Sequence, residues 1–418
     1  MERLFASLLR RIVKNGRLTL IDAKGKVYDC GDPSAAPVMF RLHDRRVAFD
    51  LLRNPQLTLG EAYMDGRISI DGGSIADLLD LIARNIGTNF GGKHLEWIAK
   101  ARNLLRAFNP RNGVRRAKRN VAHHYDLSGQ LYDLFLDSDK QYSCAFFERP
   151  TDSLETAQTN KKRRIAAKLD LKAGQRVLDI GSGWGGLALH LAESAKVDVK
   201  GITLSDEQLK VSRDRAAGSA SADRVRFEHQ DYRDATGPFE RIVSVGMLEH
   251  VGIGQYDAFF AKVASLLTDD GVALIHAIGR SDGPGTTNAW ITKYIFPGGY
   301  TPALSEVLPA IERAGLIVTD VEILRLHYAL TLAEWRRRFV ANWDRAKRLY
   351  DERFCRMWEY YLAGAEMGFR HQGLIVFQLQ LAKRVDTLPL TRDYMMTSTA
   401  VPSRSGVVRA PDRKKAAA

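Results

Sequence analysis

After residue 160 the chain alternates short apolar runs with amphipathic stretches in a regular order, and few folds accommodate that order. "RVLDIG" reads as a buried strand, "GWGGLALHLAES" as a helix, "VDVKGITLS" as a strand and "DEQLKVSRDRAA" as a helix. "RVRFEHQD" and "ERIVSVG" are further strands, "QYDAFFAKVASLL" a helix and "GVALIHAIG" a strand. Such alternation predicts an α/β domain with a doubly wound, mostly parallel sheet whose ligands gather outside the carboxyl ends of the strands. Two polar features sit at those ends. One is the glycine-rich turn after "RVLDI". The other is the pair Glu249 and His250, which follows the buried Ile242, Val243 and Val245 in "RIVSVGMLEHVG".

In "VLDIGSGWGG", Asp179 stands near a strand end, and Gly181, Gly183, Gly185 and Gly186 lead into a helix. Glycines there let backbone N–H groups approach an anion at a positive helix end. By itself the turn also suits a dinucleotide. The form D-x-G-x-G resembles motif I of class I S-adenosylmethionine-dependent methyltransferases, in which the turn holds the methionine carboxylate of the cofactor. The second strand lacks the terminal acid that usually grips ribose hydroxyls, and Thr203 with Gln208 is the polar substitute. Asp231 and Tyr232, ending the third strand, are placed to meet adenine by hydrogen bonding and stacking.

A chain of 418 residues exceeds the size at which one core usually keeps growing. The reading divides it into an α+β domain at 1–95 with a lipid-associated role, a basic linker at 96–120, the catalytic domain at 121–385 and a largely disordered tail at 386–418. The late segment 332–369 reads as one long, aromatic-rich helical stretch. Sixty-two Lys and Arg against 49 Asp and Glu give a net charge of +13, which implies an anionic partner. The charge is concentrated: from Lys100 to Asn120 there are eight basic residues and no acid. An anionic membrane surface is the expected partner, since no aromatic-interleaved or helix-turn-helix signature accompanies the charge, and nucleic acid is not expected. In the N-terminal stretch Leu4, Phe5, Leu8, Leu9 and Ile12 form a helical stripe beside Arg3, Arg10, Arg11 and Lys14. That pattern fits a helix lying in a lipid interface and equally one docked on its own domain. Cys30, Cys144 and Cys355 are too scattered for a disulfide framework or a thiolate metal site. No run approaches the roughly 20 apolar residues of a membrane span. The expected location is the cytoplasm, peripheral to the inner face of the membrane.

The stretches "AHHYDLSGQLYDLFLD", "YSCAFFE", "LDIGSGWGGLA", "GITLSDEQ", "QDYRD", "RIVSVGMLEHVG", "HAIGR", "KYIFPGGY" and "LHYALTL" run in the order found in cyclopropane-fatty-acyl-phospholipid synthases and the related mycolic acid cyclopropane synthases. The chain resembles that family over roughly residues 121–380, and "LGEAYMDG" extends the likeness more weakly into the N-terminal domain. The resemblance implies a class I methyltransferase fold, Rossmann-like and seven-stranded, with helical lid insertions that include His123, His124 and Tyr125. It implies S-adenosylmethionine as methyl donor, an unsaturated phospholipid as substrate, and a bound bicarbonate as the base that deprotonates a carbocation so that a three-membered ring closes. By matched position Tyr142 and Ser143 touch the cofactor. Cys144, Glu249, His276, the backbone of Ile278, and Tyr328 hold the bicarbonate, with Glu249 and His276 read as partners in proton handling. Read without the family, Glu249 is a solvated strand-end acid, His276 a core histidine and Cys144 a small hydrophobe. Where family members carry a late-helix cysteine this chain has Ala365, and Cys355 lies too far upstream to replace it, so thiolate catalysis is not expected. A homodimer is left open. The rivals are a same-family enzyme making methyl-branched or methylene chains, an RNA or small-molecule methyltransferase, and a membrane-binding protein without catalysis.

Overall fold

A computed structural model describes residues 1–87 and 128–397. The basic segment 96–120, the residues His123, His124 and Tyr125, and the chain from 398 onward lie outside the described residues.

The N-terminal unit is built on four strands, β1 (Arg17–Ile21), β2 (Val27–Gly31), β3 (Pro37–Leu42) and β4 (Ile68–Asp71), in the order β2-β1-β3-β4. β1 runs parallel to β3, and the outer pairs are antiparallel. Period-two patterning makes the inner face: on β2, Tyr28 and Cys30 are buried while Val27 and Asp29 face out. Four helices cover the sheet: α1 (Glu2–Ile12), α2 (Arg46–Arg53), α3 (Pro55–Met64) and α4 (Ile75–Ile86). Ser74 and Asp77 form a capping box that starts α4. The apolar stripe of α1 is split. Phe5, Ala6 and Leu9 enter the core of this unit, whereas Leu4 and Leu8 stay 59% and 40% exposed.

The larger unit holds a seven-stranded sheet in the order β10-β11-β9-β8-β5-β6-β7. Its strands are β5 (Arg176–Ile180), β6 (Asp198–Thr203), β7 (Val225–His229), β8 (Phe239–Val245), β9 (Leu267–Arg280), β10 (Ile317–Ile323) and β11 (Leu374–Ala382). β5 to β9 are mutually parallel, and β11 inserts antiparallel between β9 and β10. Strands such as "VLDI" and "IVSV" are mostly apolar and buried on both faces because helices cover both. These include α6 (Leu154–Lys168), which follows the short α5 (Gly129–Tyr132), then α7 (Gly186–Ala195), α8 (Asp206–Ala217), α9 (Leu248–Val251), α10 (Tyr256–Leu266), α11 (Ala289–Tyr294) and α12 (Leu304–Arg313). Strand order reverses between β5 and β8, so the glycine turn after β5 and Glu249 after β8 flank one crevice.

The stretch 332–369 is three helices, α13 (His327–Ala341), α14 (Trp343–Leu349) and α15 (Glu352–His371), where one helical run was expected. Capping explains the breaks. Asn342 ends α13 by donating its amide to the carbonyls of Arg338 and Leu134, and Asp351 starts α15 by accepting from the Phe354 N–H. α15 serves both units: Ala363 belongs to the N-terminal core, while Trp358, Tyr361 and Leu362 join an aromatic-rich core cluster of the larger unit. Tyr63 donates to Glu359 across this boundary at 2.5 Å. Residues 386–397, assigned to the tail on sequence, are partly docked through α16 (Asp393–Thr397). Arg392 pairs with Asp320 at 2.6 Å, and Gln380 donates to the Tyr394 hydroxyl at 2.7 Å.

Candidate active site

A cavity opens at the carboxyl ends of β5, β6 and β8. Tyr142, Ser143, Asp179, Gly181, Gly183, Thr203, Gln208, Asp231 and Tyr232 all line it, so nine of the ten residues expected to meet a cofactor share one space. The chain reverses at Gly181 with φ +82°, where a side chain would be strained and would press on Met247. Gly185 is the exception. It does not line the cavity, and a Cβ on it would lie 2.7 Å from Phe227 and 2.9 Å from Ser212. Its glycine is required by helix–sheet packing and by φ +83°.

Polar groups face the cavity ready for partners. Burial pushes the Asp179 carboxyl up to about 7, against the field of Lys161, and its Oδ2 has no partner among the described residues. Asp231 uses Oδ1 to accept from the Arg233 N–H at 3.0 Å and leaves the buried Oδ2 unmatched. Thr203 donates to Gln208 at 3.2 Å, which holds both at the end of β6. An unmatched buried carboxylate oxygen costs free energy, and both of these carboxylates line the cavity.

Beside this cavity β8 ends in α9, which carries Glu249. The register pairs Val245 with His276 on β9, and the Gly246 N–H bonds to the His276 carbonyl at 2.8 Å. This sets Glu249 against the following residues of β9. Its Oε1 accepts from the Ile278 N–H at 2.6 Å, while the buried Oε2 has no partner among the described residues. Desolvation raises its carboxyl from 4.5 to about 7. Glu249 is therefore an enclosed group, 9% exposed, rather than a solvated strand-end acid. No hydrogen bond joins it directly to His276 among the described residues. His276 meets the Gln378 amide of β11 at Nδ1, 3.1 Å away, because the antiparallel register sets the two residues opposite each other on the same face. Burial lowers its pKa to about 3, so it is a neutral imidazole at ordinary pH. The neighbour His250 lines the same cavity and packs edge-on against Phe296.

Cys144 and Tyr328 lie outside the cofactor cavity in an aromatic-rich cluster with Phe135, Trp335, Trp358 and Tyr361, and Ile278 packs against the same cluster. Burial raises the Cys144 thiol, which donates to the Ala145 carbonyl at 3.3 Å, so no thiolate is available. Tyr328 meets Trp335 edge-on at 5.9 Å and Phe369 at 4.9 Å. Tyr142 stands between the two spaces: it lines the cavity, stacks on Trp335 at 5.1 Å and shares a 3.0 Å hydrogen bond with Tyr361.

A family model for mycolic acid cyclopropane synthetase matches residues 113–379, and one for a domain of unknown function matches residues 5–93. The chain belongs to the mycolic acid cyclopropane synthetase family. It is an S-adenosylmethionine-dependent methyltransferase of that family. The chain is 36% identical over 356 residues to the cyclopropane-fatty-acyl-phospholipid synthase of Escherichia coli strain K12, covering 84% of this chain and 90% of the relative. It is 35% identical over 389 residues to the tuberculostearic acid methyltransferase UfaA1 of Mycobacterium tuberculosis, covering 90% of each. The solved mycolic acid cyclopropane synthase CmaA1, crystallised with SAH and CTAB, superposes with a TM-score of 0.60 at 35% identity, over 63% of this chain and 97% of that one.

Several members of this family's cavity in the present chain escaped sequence reasoning. Lys140, Gln141, Trp184, Gln230 and Met247 line it. Trp184 had a signal, an aromatic residue inside the glycine turn, and Gln141 adjoins the recognised Tyr142. Met247 had none, because an apolar residue after a strand reads as core.

Proposed function

We propose that this enzyme transfers the methyl carbon of S-adenosylmethionine to the cis double bond of an unsaturated phospholipid acyl chain and closes a cyclopropane ring. The observation that carries the reading is the enclosed carboxyl of Glu249, with one oxygen unmatched and one fixed by Ile278, which packs against the aromatic cluster, while the flanking Met247 and His250 line the cavity. Tyr142, Ser143, Asp179, Gly181, Gly183, Thr203, Gln208, Asp231 and Tyr232 would hold the cofactor, which supplies an electrophilic methyl group when bound. The aromatic cluster receives the alkene. Rings there present negative faces to developing positive charge and exclude the water that would trap a cation as an alcohol.

The residues fit the bicarbonate that the family resemblance implies. Glu249 Oε2 is a buried acceptor without a donor, and His276 is neutral and able to donate from Nε2. Cys144, Glu249, His276, Ile278 and Tyr328 would hold it, and when bound it supplies a base that cannot be alkylated as a side chain can. The Ile278 N–H is already engaged by Glu249, so its contribution would be to fix that carboxylate. Glu249 holds the proton or passes it on at Oε2.

We also infer peripheral attachment to an anionic membrane. Among the described residues no helix is long and apolar enough to cross a membrane, and the exposed Leu4 and Leu8 of α1 lie among Arg3 and Arg11. A second reading, methyl-branched or methylene chains, is favoured by the likeness to the tuberculostearic acid methyltransferase. Incubation with S-adenosylmethionine and vesicles of monounsaturated phosphatidylethanolamine and phosphatidylglycerol, followed by gas chromatography with mass spectrometry, separates them. The expected product gains one CH2 and has no double bond; a retained double bond or a methyl branch selects the second reading.

A further inference from the structure

Helix α6 turns two side chains, three residues apart on one face, onto the segment that walls the cofactor cavity. Gln158 Nε2 donates to the main-chain carbonyls of Gln141 at 3.2 Å and Ser143 at 3.0 Å. Lys161 Nζ donates to Gln141 Oε1 at 2.6 Å and Ser143 Oγ at 2.8 Å. Gln158 and Lys161 are each only 1% exposed. Four hydrogen bonds from behind thus grip the two residues on either side of Tyr142, which itself stands between the cavity and the aromatic cluster.

Lys161 is an expensive way to do this. A buried ammonium is normally matched by a carboxylate, as its neighbours show: Lys162 pairs with Asp139 and Lys168 with Glu322. Among the described residues no carboxylate oxygen lies within 4 Å of Lys161, whose acceptors are both neutral. A methionine would fill similar space without the desolvation penalty, so packing alone does not account for the residue. The acceptors it has chosen line the cofactor cavity.

We propose that Lys161, with Gln158, is a positioning residue of methyl transfer: acting through Gln141 and Ser143, it fixes Tyr142 as the partition between the cofactor cavity and the acyl-chain cluster. Neither residue lines the cavity, so both act through the segment they hold. The binding part of this claim rests on the methyltransferase cavity alone and not on the lipid substrate.

Lys161→Met and Gln158→Leu in the full chain test it. Three readouts are taken for each: the unfolding midpoint, SAH affinity by calorimetry, and kcat and KM for S-adenosylmethionine on unsaturated-phospholipid vesicles. The expected result is a folded protein whose SAH affinity falls on the order of tenfold, with kcat falling on the order of a hundredfold because the partition is misplaced. If Lys161→Met does not fold, Gln158→Leu decides, since it keeps the lysine and removes only the two bonds to carbonyls. A folded variant within twofold of wild type in SAH affinity and kcat overturns the proposal. So does a lowered midpoint with unchanged kcat per folded enzyme, which is the mark of a merely structural role. Should wild type show no turnover on lipid, the lipid reading fails while the calorimetry still decides this one.

Discussion

Replacing Glu249 with Gln should make the protein inactive and more stable, and the stability gain should depend on pH. The carboxyl rises from 4.5 to about 7 in the fold, chiefly through desolvation. At about 1.4 kcal/mol per tenfold change in proton affinity, holding it ionised costs about 3 kcal/mol. The sign follows from linkage. The folded state binds the proton more tightly than the unfolded chain, so stability contributed by this group is fully present below about 4.5 and is lost as pH rises towards 7. Gln keeps the amide oxygen that accepts from the Ile278 N–H and never carries the charge. Glu249→Gln should therefore match wild type near pH 4.5 and exceed it by about 3 kcal/mol at pH 8, on the order of 5–10 °C in unfolding midpoint. SAH affinity should stay within a few-fold, because Glu249 does not line the cofactor cavity. Calorimetric unfolding of both proteins at pH 5 and pH 8 measures this. An equal difference at the two pH values, or a variant less stable at pH 8, would refute the claim that Glu249 is held desolvated for chemistry.

Gly185→Ala should lower stability by about 1–3 kcal/mol through clashes with Phe227 and Ser212 at a positive φ, with SAH affinity per folded molecule unchanged in calorimetry. Tyr63→Phe should strand the buried Glu359 carboxyl at the boundary between the two units and cost about 1–3 kcal/mol in urea unfolding; a neutral result would show the contact to be incidental. Leu4→Glu with Leu8→Glu should leave the fold intact, because both side chains are exposed, and should reduce co-sedimentation with anionic vesicles. Unchanged binding would remove α1 from the membrane surface.

The α/β architecture was legible because buried parallel strands and covering helices differ in period and length, and because the glycine turn fixes where the first crevice opens. The convergence of the residues expected at a cofactor was legible for a related reason: residues at consecutive strand ends must come together, and Asp179, Thr203 and Asp231 line one cavity. The place of Gly185 outside the cavity was not legible, because a glycine lining a cavity and one beside a packed phenylalanine look alike in sequence. That Glu249 and His276 make no hydrogen bond with each other among the described residues was not legible, since neighbours across a sheet depend on register: β11 sets Gln378 opposite His276. Lys161 was invisible for a deeper reason. A lysine on the helix "LETAQTNKKRRIAAK" reads as solvated charge, and only the packing of α6 shows that Lys161 and Lys168 are both enclosed, Lys168 against Glu322 and Lys161 against residues 141–143.

The most direct measurement is the isotope content of the lipid made from S-adenosylmethionine bearing a trideuterated methyl group, with unsaturated-phospholipid vesicles as acceptor. Ring closure by loss of one proton from the transferred methyl leaves two deuterium atoms in a saturated product, and Glu249→Gln abolishes its formation. A lipid that retains all three deuterium atoms, or the absence of label from lipid while SAH still binds, would contradict the account.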